Sequence, residues 1–407
     1  MRNYLEIKGI RIVAEILLSA LFLLPILPLN IANIVFIAFS SLSIGFGLLS
    51  YTFIDWKQVR FSYIISLAFI PYMIEYLMDT NNQLMQIEFL KKLPFLFAPF
   101  AFAIFFSFTK FKNTNRLFTI FTVATTLLAI VSFVPLIVNN DLFNSESYNN
   151  GAFLIRQKFE VISNLHPTYF GYFASISIFW LISNLYKTTT NYKVLLAIAI
   201  LILFAAEVLI AAKTPFFITI FGSIWLVYKN TKSIKWLSII SISIILCSII
   251  VSIVSPALKN RISEISNFFS ATNLKENTVN QRQLILTCNL EVLKEHLWLG
   301  TSTNKAQILL DDCYQSNSEL VFEKGKYNSH NQYFTIAINY GIFTLLAFLV
   351  AIYFILKKAK TNYFLVATSW VFFIIMLSES ILERQMGVYS FLIFSLVILN
   401  QTKRSNS

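Results

Sequence analysis

Charge is scarce in this chain. Only 13% of its 407 residues are Asp, Glu, Lys or Arg, against 57% hydrophobic and 16% aromatic. Soluble domains carry about a quarter charged residues, so this composition excludes an ordinary water-soluble fold. Glycine is scarce too: the ten glycines form neither a GxGxxG turn nor a phosphate loop, which removes the common nucleotide-binding signatures. HExxH, DxD and CxxC are all missing, so no motif points to a resident metal or cofactor. With three cysteines and three histidines, thiol and imidazole chemistry is confined to a few positions. No repeat or low-complexity linker divides the chain, which predicts a single membrane domain over residues 1–407.

Long apolar runs fill the space that charge leaves. A helix needs roughly 17–25 apolar residues to cross a bilayer, and about twelve such runs are present. They lie at approximately 10–29, 31–51, 61–78, 93–109, 117–138, 167–186, 193–212, 214–228, 236–255, 332–356, 362–378 and 385–400. The expected fold is an all-α polytopic membrane protein. The first run is too long for a signal-peptide core and no small-residue cleavage site follows it, so it is expected to be retained.

The net charge of +12 follows topology. If the N-terminus is cytoplasmic and sides alternate, 18 of the 32 basic residues fall inside, with Glu6 and Asp55 as their acidic company. That bias sets orientation, and it predicts no nucleic-acid partner. An even number of spans places both termini in the cytoplasm.

Two outer segments stand out, at about 139–166 and 256–331; the second is expected to be a periplasmic insertion between spans nine and ten. Within it Leu286, Leu290, Leu293 and Leu297 mark one face of an amphipathic helix, with Gly300 as its stop. Cys288 and Cys313 lie in the same loop, either as a disulfide permitted by an oxidising compartment or as two free thiols.

The candidate chemistry gathers on the outer side. His330, in YNSHNQYF, opens the tenth span and is either a proton-exchanging group or a helix cap. Counting at helical spacing puts it on a stripe with Phe334, Ala337 and Gly341. Arg282 lies near the start of the loop helix and can bind phosphate bidentately. Lys213, in EVLIAAKTPFF, occupies a tight turn between two apolar runs, where it either serves a site or snorkels to headgroups. Glu207 is its potential partner or a polar contact within the bundle. His166 opens the sixth span; Glu379, Glu383 and Arg384 cluster before the last one, where their spacing also allows a purely structural arrangement.

These residues resemble the O-antigen ligase and polymerase superfamily of bacterial inner-membrane glycosyltransferases. SHNQYFTIAINYG at 329–341 looks like that family's H-N-x-[YF] entry into a late helix followed by glycine. QRQLILTCNLEVLKEHLWLGTST at 281–303 is similar to its arginine-led amphipathic helix ending in an h-P-h-h-G-x-G turn, although Leu297 to Ser302 lack the proline and the second glycine. AAKTPFF at 211–217 resembles the family's S-R-[TG] turn, with Lys213 where arginine is usual; ESILERQMG at 379–387 resembles a subset of members.

The resemblance implies a metal-independent, inverting transfer of a glycan from undecaprenyl diphosphate to an acceptor hydroxyl, lipid A core in a ligase, at the periplasmic face of the inner membrane. His330 and Arg282 would be catalytic. Lys213, His166, Arg384 and Glu383 would contact donor or acceptor. A polysaccharide polymerase or a protein O-oligosaccharyltransferase would use the same residues. A transporter of lipid-linked substrates is the alternative of another class, and it would call for charges at the bilayer midplane and paired broken helices.

Overall fold

The computed structural model describes residues 2–49, 54–78, 83–109, 111, 113–139, 146–210, 212–231, 278–317 and 327–401. Every regular element among the described residues is helical. In chain order these are α1 (Arg2–Leu21), α2 (Leu29–Leu49), α3 (Trp56–Ser62), α4 (Ile70–Met78), α5 (Gln83–Lys92), α6 (Pro94–Thr109), α7 (Thr114–Val138) and α8 (Glu146–Ser163). They continue with α9 (Pro167–Leu185), α10 (Thr190–Ile210), α11 (Lys213–Thr231), α12 (Thr278–His296), α13 (Thr303–Ser316), α14 (Gln332–Ala359), α15 (Tyr363–Ile375) and α16 (Gln385–Asn400). Short 3₁₀ turns occupy Tyr63–Phe69 and Ile381–Glu383.

Among the described residues, five helices are long and apolar enough to cross a bilayer: α2, the Met85–Thr109 stretch carrying α6, α7, Asn191–Ile210 of α10, and α14. The expected third span is a broken pair bent by 62° between Leu67 and Ile70, with Pro71 in the first turn of the second piece, where its missing N–H costs no helical hydrogen bond. The expected ninth span at 236–255 and most of the segment before α12 lie outside the described residues. α9, α11, α15 and α16 occupy expected spans but fall short in apolarity or length, α15 and α16 having 13 and 16 residues.

The reason for α9 is packing. Its neighbours are protein nearly all round, so nothing obliges it to be apolar toward lipid, and it carries Ser175, Ser177, Tyr169 and Tyr172 buried in the bundle. Between helices in a membrane the gain comes from van der Waals contact, which small residues permit. A Cβ on Gly171 would meet Pro215 of α11 at 2.8 Å, and one on Gly222 would strike the Phe179 ring. Interlocked aromatics fill the rest: Phe394 of α16 stands edge-on to Phe121 at 4.9 Å and to Phe22 at 5.5 Å. Inside this bundle Glu207 accepts hydrogen bonds from Thr219 (2.9 Å) and Ser175 (3.3 Å), so it is a polar contact of α9, α10 and α11.

Outside the bundle, α12 and α13 form a hairpin closed by a Cys288–Cys313 disulfide, with Cα atoms 5.7 Å apart. The face of α12 that packs differs from the expected leucine stripe. Ile285, Cys288 and Val292 are buried against Ala306, Leu310 and Tyr314 of α13 and Ile338 of α14, whereas Leu286 and Leu290 are exposed. The disulfide decides this, because Cys288 must face α13. Gly300 does end the helix, with φ +73° and its N–H donating to His296 O.

The turn after α12 is wedged into a break in α14. At Gly341 the helix takes φ 79° and ψ 175°, a conformation in practice reserved for glycine. The break would orphan carbonyls of the preceding turn in a water-poor setting, and the docked segment meets them. Thr301 N donates to Ile338 O (2.8 Å), Ser302 N to Asn339 O (3.0 Å), and Ile342 N to Leu297 O (2.8 Å). Next door, Glu75 of α4 accepts from Thr303 N (2.9 Å) at the start of α13 and from the Tyr340 hydroxyl (2.5 Å).

Ser302 stands where the family pattern has its second glycine, and it keeps the glycine-like backbone, φ 88° and ψ 156°. A side chain held there costs about 1–3 kcal/mol, while glycine's extra freedom in the unfolded chain costs about 0.5–1 kcal/mol. Ser302→Gly is therefore expected to stabilise the protein by about 0.5–2 kcal/mol, read as a higher melting temperature in detergent. An unchanged or lower value would show that the Ser302 backbone is not strained.

Candidate functional site

Four segments converge at one end of α9, α14 and α16. The first is the strand-like entry to α14. Asn331 caps that helix, its side chain accepting from Tyr333 N (2.9 Å) and Phe334 N (3.1 Å). His330 thus precedes the helix and does not share a helical stripe with Phe334, Ala337 and Gly341, a correction to the spacing argument. It sits at φ 45°, with its N–H donating to Asn328 Oδ1 (2.9 Å). Histidine is among the few non-glycine residues enriched in this region.

The second segment is the loop between α15 and α16, laced to that entry by polar contacts. Gln332 N donates to Met376 O (2.8 Å) and the Asn331 amide to Leu377 O (3.0 Å). The hydroxyls of Ser329, Thr335 and Ser380 form a buried triangle with sides of 2.5, 2.9 and 3.3 Å. Behind this loop Gly387 is required, because a Cβ there would lie 1.8 Å from Ile381 O.

The third segment is α12, which delivers Arg282. Its guanidinium donates to Ser378 O (2.9 Å) and to Glu379 Oε1 (3.1 Å). The other carboxylate oxygen of Glu379 lies 3.3 Å from His330 Nδ1. One carboxylate therefore links the guanidinium and the imidazole. Burial works to raise the Glu379 carboxyl, but the hydrogen bond and charge of His330 and the charge of Arg282 outweigh it and hold the group below the usual carboxylate range.

The fourth is the start of α9. His166 is its N-cap, Nδ1 accepting from Thr168 N at 3.3 Å. Burial, then the charges of Arg384 and Arg156, push this imidazole down to about 4, so it is neutral at physiological pH. Glu379 and His330 also act on it electrostatically, which puts His166, Arg384, Glu379 and His330 in one neighbourhood. Arg384 is exposed at the start of α16. Lys213 is the first residue of α11, in the turn whose Ala212 and Pro215 pack on Gly171, one turn along α9 from His166.

Glu383 stands apart from these groups. It turns inward, 3.2 Å from Nζ of Lys92, which is 2% exposed, and accepts from the Gln332 amide (3.3 Å). Lys92 also donates to Leu382 O and faces the Tyr72 ring. Lys92, Tyr72, Gln332 and Leu382 wall a small, mostly apolar cavity between Phe69, Phe95, Ile336 and Phe348. Lys92 is not among the candidates drawn from the sequence. Its signal was available in LKKLP, a lysine at the mouth of an apolar run, where ionisable groups tend to be paired or functional.

Among the described residues, the side chains close enough to share a metal ion are Cys288, Glu291 and Cys313, and both sulfurs are already joined in the disulfide. The arrangement thus offers a bound anion cationic groups and an acceptor hydroxyl an imidazole.

A comparison with curated proteins finds no match to the chain. Comparison with protein-family models finds one described as O-antigen ligase over residues 192–349, a stretch holding Lys213, Arg282, the Gly300 turn, His330 and Gly341. That match lies on the segment carrying Lys213, Arg282 and His330, and it supports the resemblance to the O-antigen ligase superfamily.

Proposed function

We propose that the protein transfers a glycan from undecaprenyl diphosphate to an acceptor hydroxyl, that of lipid A core, at the periplasmic face of a bacterial inner membrane. The observation that carries this reading is the Glu379 carboxylate holding Arg282 on one oxygen and His330 on the other. A guanidinium suits a diphosphate and a neutral imidazole suits a hydroxyl proton, and transfer needs both at the same carbon.

The acceptor oxygen attacks the anomeric carbon as its proton passes to Nε2 of His330. The bond from that carbon to the diphosphate oxygen breaks, and undecaprenyl diphosphate leaves with the electron pair. Arg282, with Lys213 and Arg384, stabilises the charge growing on the leaving group, and no metal is required. Direct displacement inverts the anomeric centre. His166 remains a neutral acceptor at the rim, while Glu383 holds Lys92 and the loop behind the site.

The chain is a single membrane domain, with residues 256–331 as a periplasmic insertion between spans nine and ten and both termini cytoplasmic. The Cys288–Cys313 disulfide supports this side assignment, since such bonds persist in oxidising compartments.

The test deletes the gene in its host and resolves surface glycolipid on a gel, with wild type or Arg282→Ala supplied in trans. The expected result is lipid A core bare of glycan, restored by wild type and not by Arg282→Ala. A single repeat left on the core would identify a polymerase instead; an unchanged glycolipid would move the acceptor to protein.

A further inference from the structure

Glu379 is better placed to act than to brace. Its side chain is about a quarter exposed, at 27%, beside an Arg282 that is 51% exposed and a His330 that is 30% exposed, so all three face the open side of the site. Arg282 from α12 and His330 before α14 contact it, its charge is felt by His166 and Tyr169 from α9, and Arg384, on its own side, acts on the same two groups. Glu379 is the carboxylate that hydrogen-bonds two of them, and the cations around it outnumber it.

Two consequences follow from this arrangement. By taking His330 at Nδ1 it leaves Nε2 to point away, toward an acceptor. By taking Arg282 at Nη2 it also occupies a guanidinium edge that a diphosphate would want. An exposed ion pair of this kind is weak, so a doubly charged phosphate group can replace the carboxylate on Arg282. The negative charge so released then acts on His330 alone and favours proton uptake at Nε2.

Resting on the ligase reading, we propose that Glu379 is a positioning residue for the transfer, orienting His330 and exchanging its hold on Arg282 for the donor diphosphate. Binding of the diphosphate thereby strengthens the base. The test uses the full-length protein in nanodiscs, with undecaprenyl diphosphate as the binding probe. Turnover is read with lipid-linked glycan and core glycolipid extracted from the host.

Glu379→Gln keeps the shape and removes the charge. It is expected to bind undecaprenyl diphosphate about fivefold more tightly, the scale of one exposed ion pair. Turnover should fall about tenfold to a hundredfold, as when an imidazole loses its orienting carboxylate. The acid limb of the pH–rate profile should move to lower pH, because no carboxylate then favours protonation. In an Arg282→Ala background the binding gain should vanish.

A merely bracing Glu379 would lower the folded yield and leave affinity, the limb and the Arg282 dependence unmoved, and that result overturns the proposal. Should the glutamine variant not fold, Glu379→Asp retains the charge; a wild-type acid limb with reduced turnover supports the proposal, and a wild-type rate overturns it. Wild-type protein that neither binds the probe nor transfers glycan overturns the ligase reading itself, whereas an active wild type with an unaltered Glu379→Gln overturns only the role of Glu379.

Discussion

Replacement of His330 by asparagine is expected to lower glycan transfer about 100-fold to 10,000-fold, the usual contribution of a general base, while leaving the protein folded. Asparagine is the informative substitution because His330 sits at φ 45°, where alanine would add backbone strain and asparagine is favoured. Its amide can also reach toward Glu379, now 3.3 Å from His330 Nδ1, so the link between the α14 entry and the α15–α16 loop survives. What is lost is the group that can accept a proton near neutral pH. Binding of undecaprenyl diphosphate should stay near wild type, since that rests on Arg282 and Lys213. The measurement is turnover beside donor affinity and melting temperature. Transfer within tenfold of wild type would reduce His330 to a structural link.

Much of the site was legible because its chemistry is local in sequence. YNSHNQYF announces a polar entry to a long apolar run; SESILERQ announces a charged loop; the position of Gly300 announces a helix end. What composition could not reveal is which charges meet. Glu379 and Glu383 are four residues apart, as on one helical face, yet a 3₁₀ turn at Ile381–Glu383 sends one toward Arg282 and the other toward Lys92. That divergence depends on Gly387 letting the Ile381 carbonyl approach α16, a contact between residues whose pattern looks helical throughout.

The α12 face failed for a related reason. Leucine spacing reports the apolarity of a face, but the Cys288–Cys313 bond fixes which face turns inward. Span counting blurred where helices are surrounded by protein. α9 carries serines and tyrosines because its partners are α7, α10, α11 and α15, and a hydropathy argument built on lipid does not weigh them correctly.

Gly341→Ala puts the link between fold and site to its hardest test. The added Cβ would lie 2.1 Å from Trp298 O and 2.8 Å from Leu299 N, both backbone atoms that no rotamer change can move. The φ of 79° adds about 1–3 kcal/mol of strain, and displacing the turn removes three backbone hydrogen bonds worth about 1 kcal/mol each. Alanine also favours a straight helix by about 1 kcal/mol over glycine, so α14 has an alternative in which it runs through unbroken. Strain and helix propensity together should thus cost the docked arrangement about 2–4 kcal/mol relative to an undocked one, with the Cβ overlap in addition, enough to offset the hydrogen bonds that hold the turn, while insertion of α14 is preserved by its apolar length. Since the turn after α12 helps hold Arg282 against Ser378 and Glu379, transfer should fall with it. Limited proteolysis reads this directly: cleavage within 278–317 should accelerate in Gly341→Ala while the membrane-embedded fragments stay resistant. A wild-type cleavage rate with wild-type transfer would mean that the turn does not depend on the break in α14.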